Sequence, residues 1–267
     1  MSRPAQRAPD GSNLLRIRCL GGPTAVIEIG GLRLLTDPTF DPPGDHPVGN
    51  RVLTKTSGPA LAPAALGPVD TVLLSHDQHP DNLDRLGRDY LAGVRLALST
   101  ASAEARLGGT VRSLPNWQQT ELGRPGGGRL QITGVPAQHG PDGTEHLTGE
   151  VTGFVLAGAG LPTTYVSGDN ASLQVVEAVA DRFGGVDVAV LFAGGAQTAL
   201  LGDAYLTLTS AAAAEAARIL RARHVVPVHF EGWAHFTQGA DTLVEAFSSA
   251  GLAERLHLLQ PGEHFGL

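Results

Sequence analysis

Four short apolar runs in this chain each stop near a histidine or an aspartate set beside glycine or proline. Val69–Leu74 runs into Ser75-His76, and Arg129–Val135 into Pro136-Ala137-Gln138-His139. Thr163–Val166 runs into Ser167-Gly168-Asp169, and His224–Val228 into His229. Apolar runs this short, rich in β-branched residues and bounded by turn residues, read as strands. Imidazole and carboxylate at the end of a buried strand are costly unless something pairs them, and a divalent metal is the usual partner. Strand ends of one sheet edge converge on one pocket in many sheet enzymes. The densest ending is the first, with His76, Asp77, His79, Asp81 and Asp84 inside nine residues.

Bulk properties narrow the class. The 267 residues are 42% hydrophobic, enough for a sizeable core and against wholesale disorder. A formal net charge of -7 repels polyanions, so nucleic acid and anionic membranes are not the expected partners; a small-molecule substrate is, with a homo-oligomer allowed. Cys19 is the only cysteine, which rules out an internal disulfide and fits a reducing compartment. No run reaches the roughly 18 apolar residues of a membrane span. Residues 1–13, rich in Arg, Pro and Ser, lack the apolar core of a signal peptide. The expectation is a cytoplasmic protein with a disordered N-terminus over 1–13 and a single domain over 14–267.

Along that domain, Leu14–Leu20, Thr24–Ile29 and Leu32–Leu35 read as a strand meander ending at Asp37. Residues 38–63, rich in Pro and Gly, read as a long functional loop or lid. Helices are expected over 82–91, 102–107, 173–183, 210–221 and 240–250, the fourth capped by Thr209-Ser210 and the last stopped by Gly251. Further strands are expected over 94–98, 186–192 and 256–259. Strands first, then alternating strand and helix, fit two packed sheets with helices outside.

In order and spacing, Leu35-Thr36-Asp37-Pro38, Ser75-His76 through Asp84, Pro136 to His139, Ser167-Gly168-Asp169 and Pro227-Val228-His229 resemble the metallo-β-lactamase fold superfamily. The branch most similar is that of ascorbate-6-phosphate lactonase-like hydrolases, over Thr24 to Glu263. The resemblance implies a four-layer αββα sandwich and hydrolysis by a water activated on one or two divalent ions, zinc or manganese. The superfamily's first motif reads H-x-H-x-D-H. Without a gap, His76 aligns, but Gln78, Pro80 and Asp81 fall where His, Asp and His belong. With one inserted residue, His76, His79 and Asp81 align and Asn82 replaces the last histidine. Against relatives that read S-H-D-H-H-x-D-N-L-D, only Gln78 departs.

The implied metal ligands are His76, His79, Asp81, His139, Asp169 and His229. Gln78 and Asn82 stand as further ligands or supporting contacts. A Gln carbonyl suits a hard ion such as Mn²⁺ better than zinc, so either His79 serves in place of Gln78 or the first metal position is weakened. Asp37 is expected to hold a ligating histidine through its ring N–H. Asp81 would orient the water or take its proton, His235 would donate to substrate, and Trp117 and Trp233 would wall the pocket.

Blander readings run alongside. Asp169 after Gly168 also suits a turn, and Asp77 and Asp84 suit caps of the following helix. His46, His146, His224 and His257 read as surface or structural, His264 as part of a tail able to fold over the site, and Gly194-Gly195 as a cradle for an anion. The preferred function is a metal-dependent hydrolase of a lactone, ester-like or phosphodiester bond. The alternatives are a binding protein with a decayed first metal site, or a biosynthetic enzyme on the same fold.

Overall fold

The computed structural model describes residues 14–267; the expected N-terminal segment 1–13 lies outside them. The first half of the chain forms β1 (Leu15–Gly21), β2 (Thr24–Ile29), β3 (Leu32–Thr36), β4 (Gly44–Val48), β5 (Arg51–Lys55), α1 (Pro63–Leu66), β6 (Thr71–Leu73), α2 (Arg85–Leu91), β7 (Ala97–Ser99), α3 (Ala101–Leu107) and β8 (Val111–Ser113). The second half forms β9 (Gln119–Gly123), β10 (Arg129–Pro136), α4 (Glu145–Thr148), β11 (Thr152–Ala157), β12 (Thr164–Val166), α5 (Leu173–Phe183), β13 (Val188–Phe192), α6 (Ser210–Ile219), β14 (His224–Val228), α7 (Ala240–Ser249) and β15 (His264–Gly266).

All of these strands but β4 and β5, which pair with each other alone, make two sheets, ordered β15-β1-β2-β3-β6-β7-β8 and β14-β13-β12-β11-β10-β9. Alternation along each strand decides what lies between the layers. In β2, Ala25, Ile27 and Ile29 point into the core between the sheets, where they meet Ile132, Phe154 and Val190. Val26, one residue out of phase, joins Val72, Leu74 and Leu91 under the helices of the first sheet. In β14, Val226 and Val228 face the other sheet while Val225 packs with Val179, Ala217 and Phe247 beneath α5, α6 and α7. Two sheets face to face with helices on both outer sides give the expected αββα sandwich.

Strand direction gathers the site. β3, β6, β7 and β8 are mutually parallel, as are β12, β13 and β14. Parallel neighbours finish on the same side, so Asp37 and Ser75 follow the last paired residues, Thr36 and Leu73, at one edge. His139, Asp169 and His229 leave β10, β12 and β14.

Several expectations change. The loop over 38–63 contains the hairpin β4–β5, closed at Gly49-Asn50. Half of its strand residues are exposed and Lys55 alone is buried, so no apolar alternation announces it. α2 begins at Arg85 rather than 82, because the Asp84 carboxylate accepts the Gly87 N–H at 2.8 Å and caps it there. The strand expected over 256–259 is a single bridge from Leu256 to Val225; Leu258 and Leu259 cover the two cores without a ladder. The strand that does form, β15, pairs with β1. It carries His264 opposite Arg18, on an exposed sheet edge rather than over the site.

Candidate metal centre

Among the described residues, two groups of donor atoms each fall within 4.8 Å: His76, His79 and His139, and beside them Asp81, Asp169 and His229. In the first, His79 Nδ1 lies 2.9 Å from His76 Nε2 and 3.3 Å from His139 Nε2. In the second, His229 Nε2 lies 3.1 Å from Asp81 Oδ2, and its Nδ1 lies 3.7 Å from Asp169 Oδ1. The groups meet where His139 Nε2 comes within 3.5 Å of Asp169 Oδ2. All six implied ligands therefore share one place.

Each ring is set by its surroundings. The Nδ1–H of His139 donates to the Leu206 carbonyl at 2.8 Å, which leaves Nε2 bare toward the cluster. Asn170 accepts the Gln138 N–H at 3.1 Å and fixes the loop that carries His139. Asp37 touches none of these histidines directly, contrary to expectation. It accepts both the N–H and the hydroxyl of Ser75, and the Ser75 hydroxyl lies 3.0 Å from His76 Nδ1. Ser75 and Leu206 are thus supporting groups that sequence reasoning missed. Ser75 had a signal, its place between strand and histidine; Leu206 contributes only a carbonyl, which no side-chain pattern marks.

Asn82 donates from Nδ2 to Asp37 Oδ2 at 3.1 Å and to Asp169 Oδ1 at 3.0 Å, joining two carboxylates. Gln78 lies outside the histidine group. Its amide packs on Gly149, where an added Cβ would fall 2.2 Å from Gln78 Nε2 and the backbone sits at φ +91. His79 holds the place among the histidines that Gln78 leaves.

Two site residues lie in the left-handed region without being glycine: Asp37 at φ 23 and His229 at φ 57. Such strain persists only where surrounding contacts fix it. Close packing supplies part of that: a Cβ on Gly87 would fall 1.9 Å from the Pro38 carbonyl, so α2 presses directly on the chain beyond Asp37.

Electrostatics suit a cation. Burial holds His76 well below the ordinary histidine value, with His79 and His139 adding to it. Burial, then His139, takes His79 down to about 4. Both rings are therefore neutral near pH 7, the state a metal ligand requires. Burial would raise Asp81, but His235 and His229 outweigh it and hold the carboxylate well below its usual range. Burial also works to lower His229, and the charges of Asp169 and Asp81 outweigh it. Burial pushes Asp37 up to about 7 against the hydrogen bonds from Ser75 and Asn82. Asp81 Oδ1, Asp169 Oδ2 and His229 Nδ1 are buried without a hydrogen-bond partner. Orphaned acceptors in a buried cluster demand a counter-charge, and a three-histidine group beside a group of two aspartates and a histidine fits one or two divalent ions.

The flanking predictions divide. His235 joins the site, Nε2 at 3.0 Å from Asp81 Oδ2. Trp233 is 3% exposed and packs under the Lys55 ammonium, 5.5 Å from its ring centroid. Trp117 belongs elsewhere. Its N–H donates to the Gly134 carbonyl, and its ring packs on the core beneath α5 with the Arg182 guanidinium 5.1 Å away. Gly194 and Gly195 form no anion cradle: the Gly195 N–H is used on the Leu208 carbonyl, and Gly194 lies against the His229 carbonyl. Asp77 neither caps α2 nor orients a ligand; Arg106 takes its carboxylate. Outside His79 opens a cavity of about 360 Å³ lined by Gln78, Arg106, His146, Thr148 and Gly149, a volume within the usual range for small-molecule sites.

Comparison with known proteins agrees with this architecture. A metal-dependent hydrolase of Pyrococcus furiosus, named as UPF0173, is 26% identical over 259 residues, covering 95% of this chain and 100% of its own. The isothiocyanate hydrolase from Delia radicum gut bacteria superposes with a TM-score of 0.78 at 21% identity, over 94% of this chain and 100% of that one. A protein from Veillonella parvula described as a possible metal-dependent hydrolase gives 0.80 at 17% identity, over 96% and 100%. Residues 32–230 match the family described as beta-lactamase superfamily domain. With that match spanning most of its length and the histidine–aspartate cluster at its sheet edge, the chain belongs to the beta-lactamase superfamily.

Proposed function

We propose that this protein is a metal-dependent hydrolase of a small molecule, acting on a lactone or related ester-like bond first and a phosphodiester next. The observation that carries the reading is the pair of adjoining donor groups with buried, unpartnered carboxylate oxygens on Asp81 and Asp169. His76, His79 and His139 would hold one cation; Asp81 and His229 would hold the second, with Asp169 reaching both. A cation there would supply Lewis acidity and a water acidic enough to act as nucleophile near neutral pH.

The protein's own groups then have defined tasks. Asp81, beside being one of the residues that would hold a cation, would orient the attacking water or take its proton. His235, at the end of a chain segment packed on β5, faces the same carboxylate. The cavity beside His79 gives a small substrate room, with Arg106 and His146 on its wall. The chemistry of a lactonase-like branch is supported by the early motif, S-H-D-x-H-x-D-N-L-D with glutamine at the fourth place.

The test is metal analysis of purified protein joined to a panel of lactones, aryl esters and a bis-aryl phosphodiester. An aryl isothiocyanate belongs in the panel, since the protein from Delia radicum gut bacteria is named for that substrate. Hydrolysis abolished by a chelator and restored by zinc or manganese is expected. Protein that holds no metal and turns over no substrate after loading would overturn the reading.

A further inference from the structure

We infer that His235 is an imidazole ligand of the second cation, standing in for the histidine that Asn82 replaces. The inference rests on the metal-centre reading above and adds a residue to it. In the superfamily motif an aspartate is followed by a histidine, and both serve the second position. Here the sequence reads Asp81-Asn82. The Asn82 amide is committed elsewhere, its Nδ2 lying between Asp37 and Asp169. With a carboxylate oxygen on each side of that nitrogen, flipping the amide would set oxygen against oxygen, so the donor role is fixed by its neighbours. That leaves Asp81, Asp169 and His229 one imidazole short of the family's set.

His235 supplies one. Its Nε2 lies 3.0 Å from Asp81 Oδ2, and His229 Nε2 lies 3.1 Å from the same oxygen. Bonds of 2.0–2.1 Å to a tetrahedral ion put neighbouring donors roughly 3.3 Å apart. The three-histidine group shows this spacing too, at 2.9 and 3.3 Å. Two imidazole nitrogens gathered on one carboxylate oxygen, with the other oxygen of that carboxylate, Asp81 Oδ1, buried and unpartnered, are what a cation between them would organise.

The backbone around His235 is built to hold it there. Lys55 bridges to Trp233, and the Ala234 N–H donates to the Thr54 carbonyl at 3.0 Å, so β5 anchors the segment on one side. Gln197 donates its N–H to the His235 carbonyl at 3.4 Å on the other. Trp233, 3% exposed, fixes the segment into the protein. The long loop between β3 and β6 thus acts as a strap that holds in place the segment carrying His235.

Cobalt titration of the full chain tests this. Wild-type protein should take up two Co²⁺ per chain. His235→Ala should take up one at the same free cobalt, its remaining visible spectrum resembling that of the three-histidine position. The second affinity should fall by at least roughly the 10–100-fold that loss of an outer contact costs. Added imidazole should restore the second ion and its absorption, which a merely structural defect would not allow. In proton spectra of the cobalt protein, one hyperfine-shifted exchangeable ring N–H should vanish in the variant. Two tightly bound ions with an unchanged spectrum in His235→Ala, or a wild-type chain that takes up only one, overturns the assignment. A wild-type chain that binds no cobalt overturns the metal-centre reading itself.

Discussion

Ser75 is bound to Asp37 twice, through its backbone N–H and through its hydroxyl, each at 2.6 Å. The hydroxyl also reaches His76 Nδ1, so the carboxylate acts on the histidine through the serine. Ser75→Ala cuts that link without touching a ligand. Affinity for the metal held by His76 should fall by roughly 10–100-fold, read by competition with a coloured chelator. An unchanged affinity would show that Asp37 serves only to close the turn.

Gln78 and His79 should behave oppositely. His79 sits among the histidines and Gln78 packs on Gly149. His79→Ala should remove one metal per chain, whereas Gln78→His should leave metal content and activity as they are. A gain of metal in Gln78→His would mean that the first position had been impaired after all.

Lys55 and Asp84 form a buried pair at 3.0 Å, with side chains 4% and 0% exposed. Asp84 also accepts the N–H groups of Asp41 and Gly87. Lys55→Met strands a buried carboxylate, a change that costs about 3–5 kcal/mol. At a few degrees per kcal/mol for a chain of this size, the melting temperature should fall by roughly 6–20 °C. A drop of a degree or two in circular-dichroism melts would refute the buried pairing.

Acid should loosen the β15 edge. His224 Nδ1 lies 2.9 Å from His257 Nε2, and Phe265 of β15 stacks on His257. Burial lowers His257 below its ordinary 6.5, and His224 lowers it further. The folded chain therefore binds fewer protons here than the unfolded chain. This contribution to stability is full above about pH 6.5 and declines as the pH falls through the lowered value. His257→Gln should lose less melting temperature than wild type between about pH 7.5 and pH 5; equal losses would remove this pair from the account.

The single thiol should be inert. Burial first, then Glu231 and Glu263, push Cys19 up to about 12. Only the thiolate attacks disulfide reagents. Folded protein should resist an aryl disulfide that reacts at once after denaturation, and rapid labelling of the native chain would contradict this burial.

What the sequence made legible follows from which forces leave a residue signature. The short apolar runs at β2 and β14, and the capped α5 and α6, appear nearly where their side chains place them, because burial and capping are encoded residue by residue. The convergence of His76, His139, Asp169 and His229 was readable because strand ends are punctuated by Gly and Pro. The hairpin β4–β5 was not, since its outward side chains carry no period. Trp117 was misplaced because an aromatic residue in a loop shows no direction, and here the Gly134 carbonyl turns it toward α5. The 256–259 run misled because apolar residues cover a core as readily outside a ladder as within one.

The pairing of β15 with β1 joins Arg18 to His264, 246 residues apart in the chain. During translation at about 5–20 residues per second, β1 waits roughly 12–50 s for that partner. Throughout this interval its outer row of peptide groups is open to any other nascent strand. Arg16 and Arg18, alternating with buried Leu15 and Ile17, place positive charge along that waiting strand. Chains emerging from one message would repel each other at the place where they are most able to join.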